Sequence, residues 1–221
     1  MNIRICTPVI GNTIEVFLKN LEKTQELSNF LELRIDYISD ITVSDLDTIR
    51  EKTTVPAIVT CRASSEGGHF SGSKEDQISI LQSAIGMFEY VDIELATMQH
   101  HMFTRNEKTK IIVSYHNFET TPRYWDMQKN IYDINTVHPD IIKIATMVSH
   151  DYEVAKIYRL LTNKPQDEER IVVGMGSVGR MTRILGPLLG SYLTYAATPW
   201  GESALGQIQI AELKKVYNTL T

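Results

Sequence analysis

Eight apolar runs of strand length, separated by segments of helical periodicity, recur along the 221 residues, and this alternation constrains the chain more than any other feature. The runs fall at 3–7, 31–36, 55–61, 90–95, 110–115, 140–145, 171–175 and 191–196. Between them, Ile14, Phe17, Leu18 and Leu21 follow i, i+3, i+4, i+7, and Ile78, Leu81, Ala84 and Ile85 do likewise. Asp45 and Leu46 open a shorter helix, and Ile208, Ile210, Leu213 and Val216 suggest a closing one. Such alternation calls for parallel strands joined by crossover helices. Eight units in a chain of this length fit an α/β, single-domain (β/α)8 barrel, the TIM-barrel arrangement, over residues 1–221. An open doubly wound sheet is the alternative. It lacks its usual dinucleotide fingerprint, because Cys6-Thr-Pro-Val-Ile-Gly-Asn12 stands where a Gly-x-Gly-x-x-Gly turn would follow the first strand.

A barrel of this kind gathers its reactive groups at the carboxyl ends of the strands. Here those ends carry Thr7; Glu32, Arg34 and Asp36; Arg62 with Glu66 beyond; Asp92 and Glu94; Ser114 and His116; Lys143; Met175; and the loop 197–207. Strict alternation in Leu31-Glu-Leu-Arg-Ile-Asp36 puts Glu32, Arg34 and Asp36 on one face of their strand. Val91-Asp-Ile-Glu-Leu95 repeats the pattern. Inward charges are costly unless paired, so acids and bases of neighbouring strands are expected to meet.

Lys143 is the exception inside Asp140-Ile-Ile-Lys-Ile-Ala-Thr146, a run otherwise suited to a strand buried on both faces. It points away from Ile142 and Ile144. Burial favours the neutral amine, the form a Schiff-base nucleophile needs. A lysine snorkelling from a strand end is the plainer alternative. His116 ends the preceding strand, so sequential strand order sets it beside Lys143, where an imidazole can move protons near neutral pH. His69, His100, His101, His138 and His150 fall in loops or helices and are expected at the surface, with no metal site at the His100-His101 pair. Arg34, Arg62 and Arg183 are candidates for gripping a carboxylate or hydroxyl-rich substrate. A surface place is a poor alternative for Arg34 and Arg62, which sit in or at the end of apolar strands, and a reasonable one for Arg183 and Arg180. Gly174-Met-Gly-Ser-Val-Gly179 reads either as a phosphate loop or as a tight strand-to-helix turn.

A net charge of −5 argues against a nucleic-acid partner. The opening Met-Asn-Ile-Arg-Ile-Cys has no leader pattern, and no run approaches the roughly 20 apolar residues of a membrane span, so a cytoplasmic protein without a membrane partner is expected. Cys6 and Cys61 lie in strands without metal-ligand spacing and read as inert core thiols.

These residues together resemble the type I 3-dehydroquinate dehydratases of the shikimate pathway. The motifs are Glu32-Leu-Arg-Ile-Asp36, Arg62-Ala-Ser-Ser-Glu-Gly-Gly68, Ser114-Tyr-His-Asn-Phe-Glu-Thr-Thr-Pro122, Lys143-Ile-Ala-Thr-Met147, Met175-Gly-Ser-Val-Gly-Arg-Met-Thr-Arg183 and Ser203-Ala-Leu-Gly-Gln207. The resemblance implies dehydration of 3-dehydroquinate to 3-dehydroshikimate, without metal or cofactor, by a dimeric enzyme. It assigns imine formation to Lys143, acid–base work to His116, and orientation of that histidine to Glu66. Arg183 would grip the substrate carboxylate. Thr7, Glu32, Arg34, Arg62, Ser203, Ala204 and Gln207 would contact the substrate, and Met175 would line its pocket. Two departures stand out: the loop after strand seven lacks the lysine common among relatives, and Leu205 replaces a usual proline. Two other functions remain open, a Schiff-base aldolase or transaldolase acting on sugar phosphates and a non-catalytic barrel that binds a metabolite.

Overall fold

The computed structural model describes residues 3–220. Met1 and Asn2, which begin the stretch read as lacking a leader, lie outside the described residues, as does Thr221. The chain divides into two compact units, Thr7–Ile112 and a second made of Met1–Cys6 with Val113–Thr221. The division falls inside two strands, β1 (Ile5–Val9) and β5 (Lys110–Asn117), so each contributes to both units.

In the unit Thr7–Ile112 the strands run in the order β1, β2 (Leu31–Arg34), β3 (Ala57–Thr60), β4 (Tyr90–Glu94), β5. The ladders from β1 to β4 are parallel, with Thr7 opposite Leu31, Arg34 opposite Thr60, and Thr60 opposite Asp92. All residues of β2 and β3 are buried, as expected of strands covered on both faces. Helix α1 (Ile14–Leu27) turns Phe17 and Leu21 fully inward, and α2 (Val43–Lys52) does the same with Leu46 and Ile49. Polar residues fix where helices begin. Thr42 and Asp45 form a capping box at α2, and Ser73 and Asp76 form another at α3 (Lys74–Ala84), each satisfying orphan amides of the first turn. The short α4 (Leu95–His100) follows β4 directly.

In the second unit β5 is followed in the sheet by β6 (Ile141–Met147) and β7 (Arg170–Met175). Ile142 to Met147 pair one for one with Arg170 to Met175. The start of β1 pairs with β8 (Thr194–Ala197), which in turn pairs with the two-residue β9 (Ile208–Gln209). A parallel bridge joins Arg170 to Ser191, and Tyr192 donates its backbone N–H to the Arg170 carbonyl at 2.7 Å. The helices are α5 (Tyr124–Asn135), α6 (Asp151–Thr162), α7 (Gly176–Leu185) and α8 (Ile210–Leu220). No helix among the described residues is long and apolar enough to cross a membrane.

The expected strands are present, with informative shifts at their ends. β2 stops at Arg34, because Ile35–Tyr37 tightens into a 3-10 turn that folds Asp36 back onto Arg34. Strand eight begins to pair at Thr194, since Ser191 contributes only the bridge. His116 lies within β5 and not beyond it. Ile208 belongs to β9, and the last helix starts two residues later than its apolar pattern suggests.

Candidate active site

Arg62 is the centre of the charged cluster in the unit Thr7–Ile112. It follows β3 and is 4% exposed. Its guanidinium meets Asp92 at 2.8 Å, Glu94 at 3.8 Å and Glu66 at 3.9 Å. Burial alone would favour the neutral form, but the carboxylates of Asp92, Glu94 and Glu66 outweigh it and hold Arg62 more firmly charged than usual. Glu94 is itself fixed. It accepts the Ala63 amide at 2.8 Å and a bond from Thr97 at 3.2 Å, and Lys74 stands 3.6 Å away. The expected meeting of acids and bases from adjacent strands is thus present between β3 and β4.

Arg34 makes a bidentate pair with Asp36, at 2.8 and 2.7 Å, with its guanidinium over the Tyr37 ring at 4.8 Å. Asp36 also accepts the His69 amide. Burial opposes the Arg34 charge, and the hydrogen bond and charge of Asp36 more than restore it. Glu32 is buried and accepts the Thr60 hydroxyl at 3.2 Å. Glu66 is half-buried in a 3-10 turn after β3. Burial lifts its carboxyl to about 7, against the opposing pull of Arg62, so it can hold a proton near neutrality. Cys61 is a buried free thiol whose acidity burial suppresses, in keeping with an inert core cysteine.

Thr7 lies on β1. It is fully buried and donates its hydroxyl to Ser28 Oγ at 2.9 Å, while Ser28 donates onward to the Phe30 carbonyl. This chain ties β1 to the end of α1.

In the other unit Lys143 is 5% exposed on β6, with its Nζ 4.9 Å from the centroid of the Tyr195 ring on β8. A snorkelling lysine would be exposed, so that alternative fails. His116 is half-buried near the end of β5, the sheet neighbour of β6, and its ring lies nearly parallel to that of Phe118 at 5.9 Å. Met175 ends β7, 4% exposed, at the N-cap of α7. Arg183, for which a surface place was open, is 2% exposed and reaches the Leu205 carbonyl at 3.4 Å. Arg180 is the surface arginine, 3.8 Å from Glu212.

The segment 203–207 packs on the head of α7. Gly176 donates its amide to the Leu205 carbonyl at 3.2 Å. Gly206 has φ +81, and a Cβ there would lie 2.3 Å from the Gly176 carbonyl oxygen, so only glycine allows the approach. Gln207 closes the segment by accepting the Ser203 amide at 3.0 Å and donating to its hydroxyl at 3.3 Å. Ala204 is half-buried and Leu205 is exposed. Gly176 also opens α7 with φ +80, which makes 174–179 a strand-to-helix turn. Asp92, Glu94 and Tyr195 had no assigned part. The first two were visible as inward charges, whereas Tyr195 lay hidden in an apolar run.

Comparison with known proteins places this arrangement. The family model for type I 3-dehydroquinase matches residues 5–221. The chain belongs to the type I 3-dehydroquinase family. A 3-dehydroquinate dehydratase from Coxiella burnetii is 40% identical over 215 residues, covering 97% of this chain and 92% of its own. The crystal structure of 3-dehydroquinate dehydratase from Geobacillus kaustophilus matches with a TM-score of 0.84 at 25% identity, covering 100% of this chain and 91% of that one. A type I 3-dehydroquinate dehydratase from Clostridium difficile, solved with covalently modified comenic acid, matches with a TM-score of 0.86 at 24% identity, over 98% and 91%. The TIM-barrel-like α/β fold expected from the strand and helix alternation is the fold of these type I 3-dehydroquinases.

Proposed function

We propose that this chain is a 3-dehydroquinate dehydratase of the shikimate pathway to aromatic amino acids, a hydro-lyase that works through a Schiff base on Lys143. The observation that carries the reading is a lysine buried at 5% exposure on β6, in a chain whose family match runs over residues 5–221. The covalently modified ligand of the Clostridium difficile relative supports covalent chemistry in the family.

The Lys143 amine adds to the substrate ketone, the carbonyl oxygen departs as water, and a protonated imine remains. His116 takes a proton from the adjacent carbon. The C–H electron pair forms a new C=C bond as the imine π electrons settle on nitrogen. The resulting enamine pushes those electrons back and expels the β hydroxyl, which leaves as water with the proton from His116. Hydrolysis of the conjugated imine frees 3-dehydroshikimate and regenerates the amine. The ability of Glu66 to hold a proton near pH 7 suits it to assist His116. Arg183 is assigned the substrate carboxylate, and Glu32, Arg34, Arg62, Ser203, Ala204 and Gln207 the hydroxyls and ketone region, with Met175 as an apolar wall.

The whole chain acts as one catalytic domain, cytoplasmic, on a small molecule, with neither nucleic acid nor membrane as partner. It works as a homodimer, for which the exposed Trp125 and Tyr132, seven residues apart on α5, offer an aromatic face. The test is a dehydration assay followed by the absorbance of the conjugated enone. Turnover of 3-dehydroquinate is expected, and a flat trace from folded protein overturns the assignment.

A further inference from the structure

Tyr195 sits in β8, where its backbone is fixed by pairing with Cys6, and its side chain is 4% exposed. Its neighbour Thr194 is anchored in turn by donating its hydroxyl to the Arg183 carbonyl at 2.7 Å. The ring is therefore positioned by the sheet and not by a loop. Lys143 Nζ lies 4.9 Å from its centroid, within the range over which an aromatic face attracts a cation, and the pairing strengthens when both partners are withdrawn from water, as here.

We propose that the Tyr195 ring is the electrostatic support for the reacting nitrogen, stabilising the positive charge of the Lys143 imine. The inference rests on the Schiff-base reading. Condensation leaves the nitrogen where the lysine side chain holds it, so a ring that faces Nζ also faces the iminium. A π face attracts that charge without offering a basic lone pair to remove the N–H proton. The protonated imine therefore persists as an electron sink. The charge disappears when the α proton leaves and the enamine forms. It returns to nitrogen when the hydroxyl departs, and that second step is the one the ring accelerates.

The test replaces Tyr195 by phenylalanine and then by mono-, di- and trifluorinated phenylalanine, which drain the ring face stepwise with little change of shape. Two quantities are read with saturating 3-dehydroquinate: the fraction of protein carrying a borohydride-reduced adduct, and kcat. Both quantities are expected to fall progressively from Tyr195→Phe to the trifluorinated ring, by about ten-fold across the series. A series in which neither changes, while the parent forms the adduct, overturns the role of the ring and leaves the Schiff base standing. Absence of any adduct in the parent overturns both.

Discussion

Arg62 reaches from the end of β3 to Asp92 on β4 at 2.8 Å, with side chains only 4% and 0% exposed. Asp92 is the nearest of three carboxylates around this buried guanidinium, and removing it leaves only Glu94 at 3.8 Å and Glu66 at 3.9 Å. Asp92→Ala is expected to cost about 3–5 kcal/mol in urea unfolding, and the double change Arg62→Met with Asp92→Leu to recover much of it. A loss below about 1 kcal/mol would show the pair to be dispensable.

Glu66 gives a stability signature with a defined sign. The folded chain keeps this proton up to about pH 7, whereas the unfolded chain releases it near 4.5. Between those values the native state binds more protons, so stability falls as pH rises, and the full penalty is present above about 7. Glu66→Gln is expected to be more stable than the parent at pH 8, by about 1–3 kcal/mol, and no more stable than it at pH 4. Equal differences at both pH values would contradict the raised carboxyl.

Leu205 engages Gly176 and Arg183 through its carbonyl, which proline retains. Leu205→Pro restricts the segment before substrate arrives and lowers the entropy lost on ordering it, worth about 0.4–1 kcal/mol. KM for 3-dehydroquinate is expected to fall by roughly two- to five-fold. An unchanged or higher KM counts against a stiffening effect.

How far the sequence could be read varies with the range of the interaction. Apolar periodicity placed all eight main strands, because burial on both faces leaves a local mark on each run. It missed β9, since two residues carry no period, and it overran β2, since alternation continues through Asp36 while the backbone turns to bring that carboxylate to Arg34. Lys143 was legible as a charge in an apolar strand, and Arg62 as a base among acids. Its choice of Asp92, thirty residues away, depends on strand register that no local pattern reports. The ring of Tyr195 next to Lys143 is likewise a long-range contact. The bond from the Thr7 hydroxyl to Ser28 is a third such contact.

His116 and Lys143 separate in a way that tests the division of labour between them. His116→Ala leaves the amine able to condense, so some adduct is expected to form while turnover falls by about 10²–10⁴-fold. Full activity in that variant would remove the imidazole from the mechanism.

The imine itself is tested most directly by borohydride reduction in the presence of 3-dehydroquinate, followed by peptide mass analysis. The reduced adduct is expected on the peptide containing Lys143 and absent after Lys143→Ala. An active parent enzyme with no adduct there, or with the adduct on another lysine, would contradict the account.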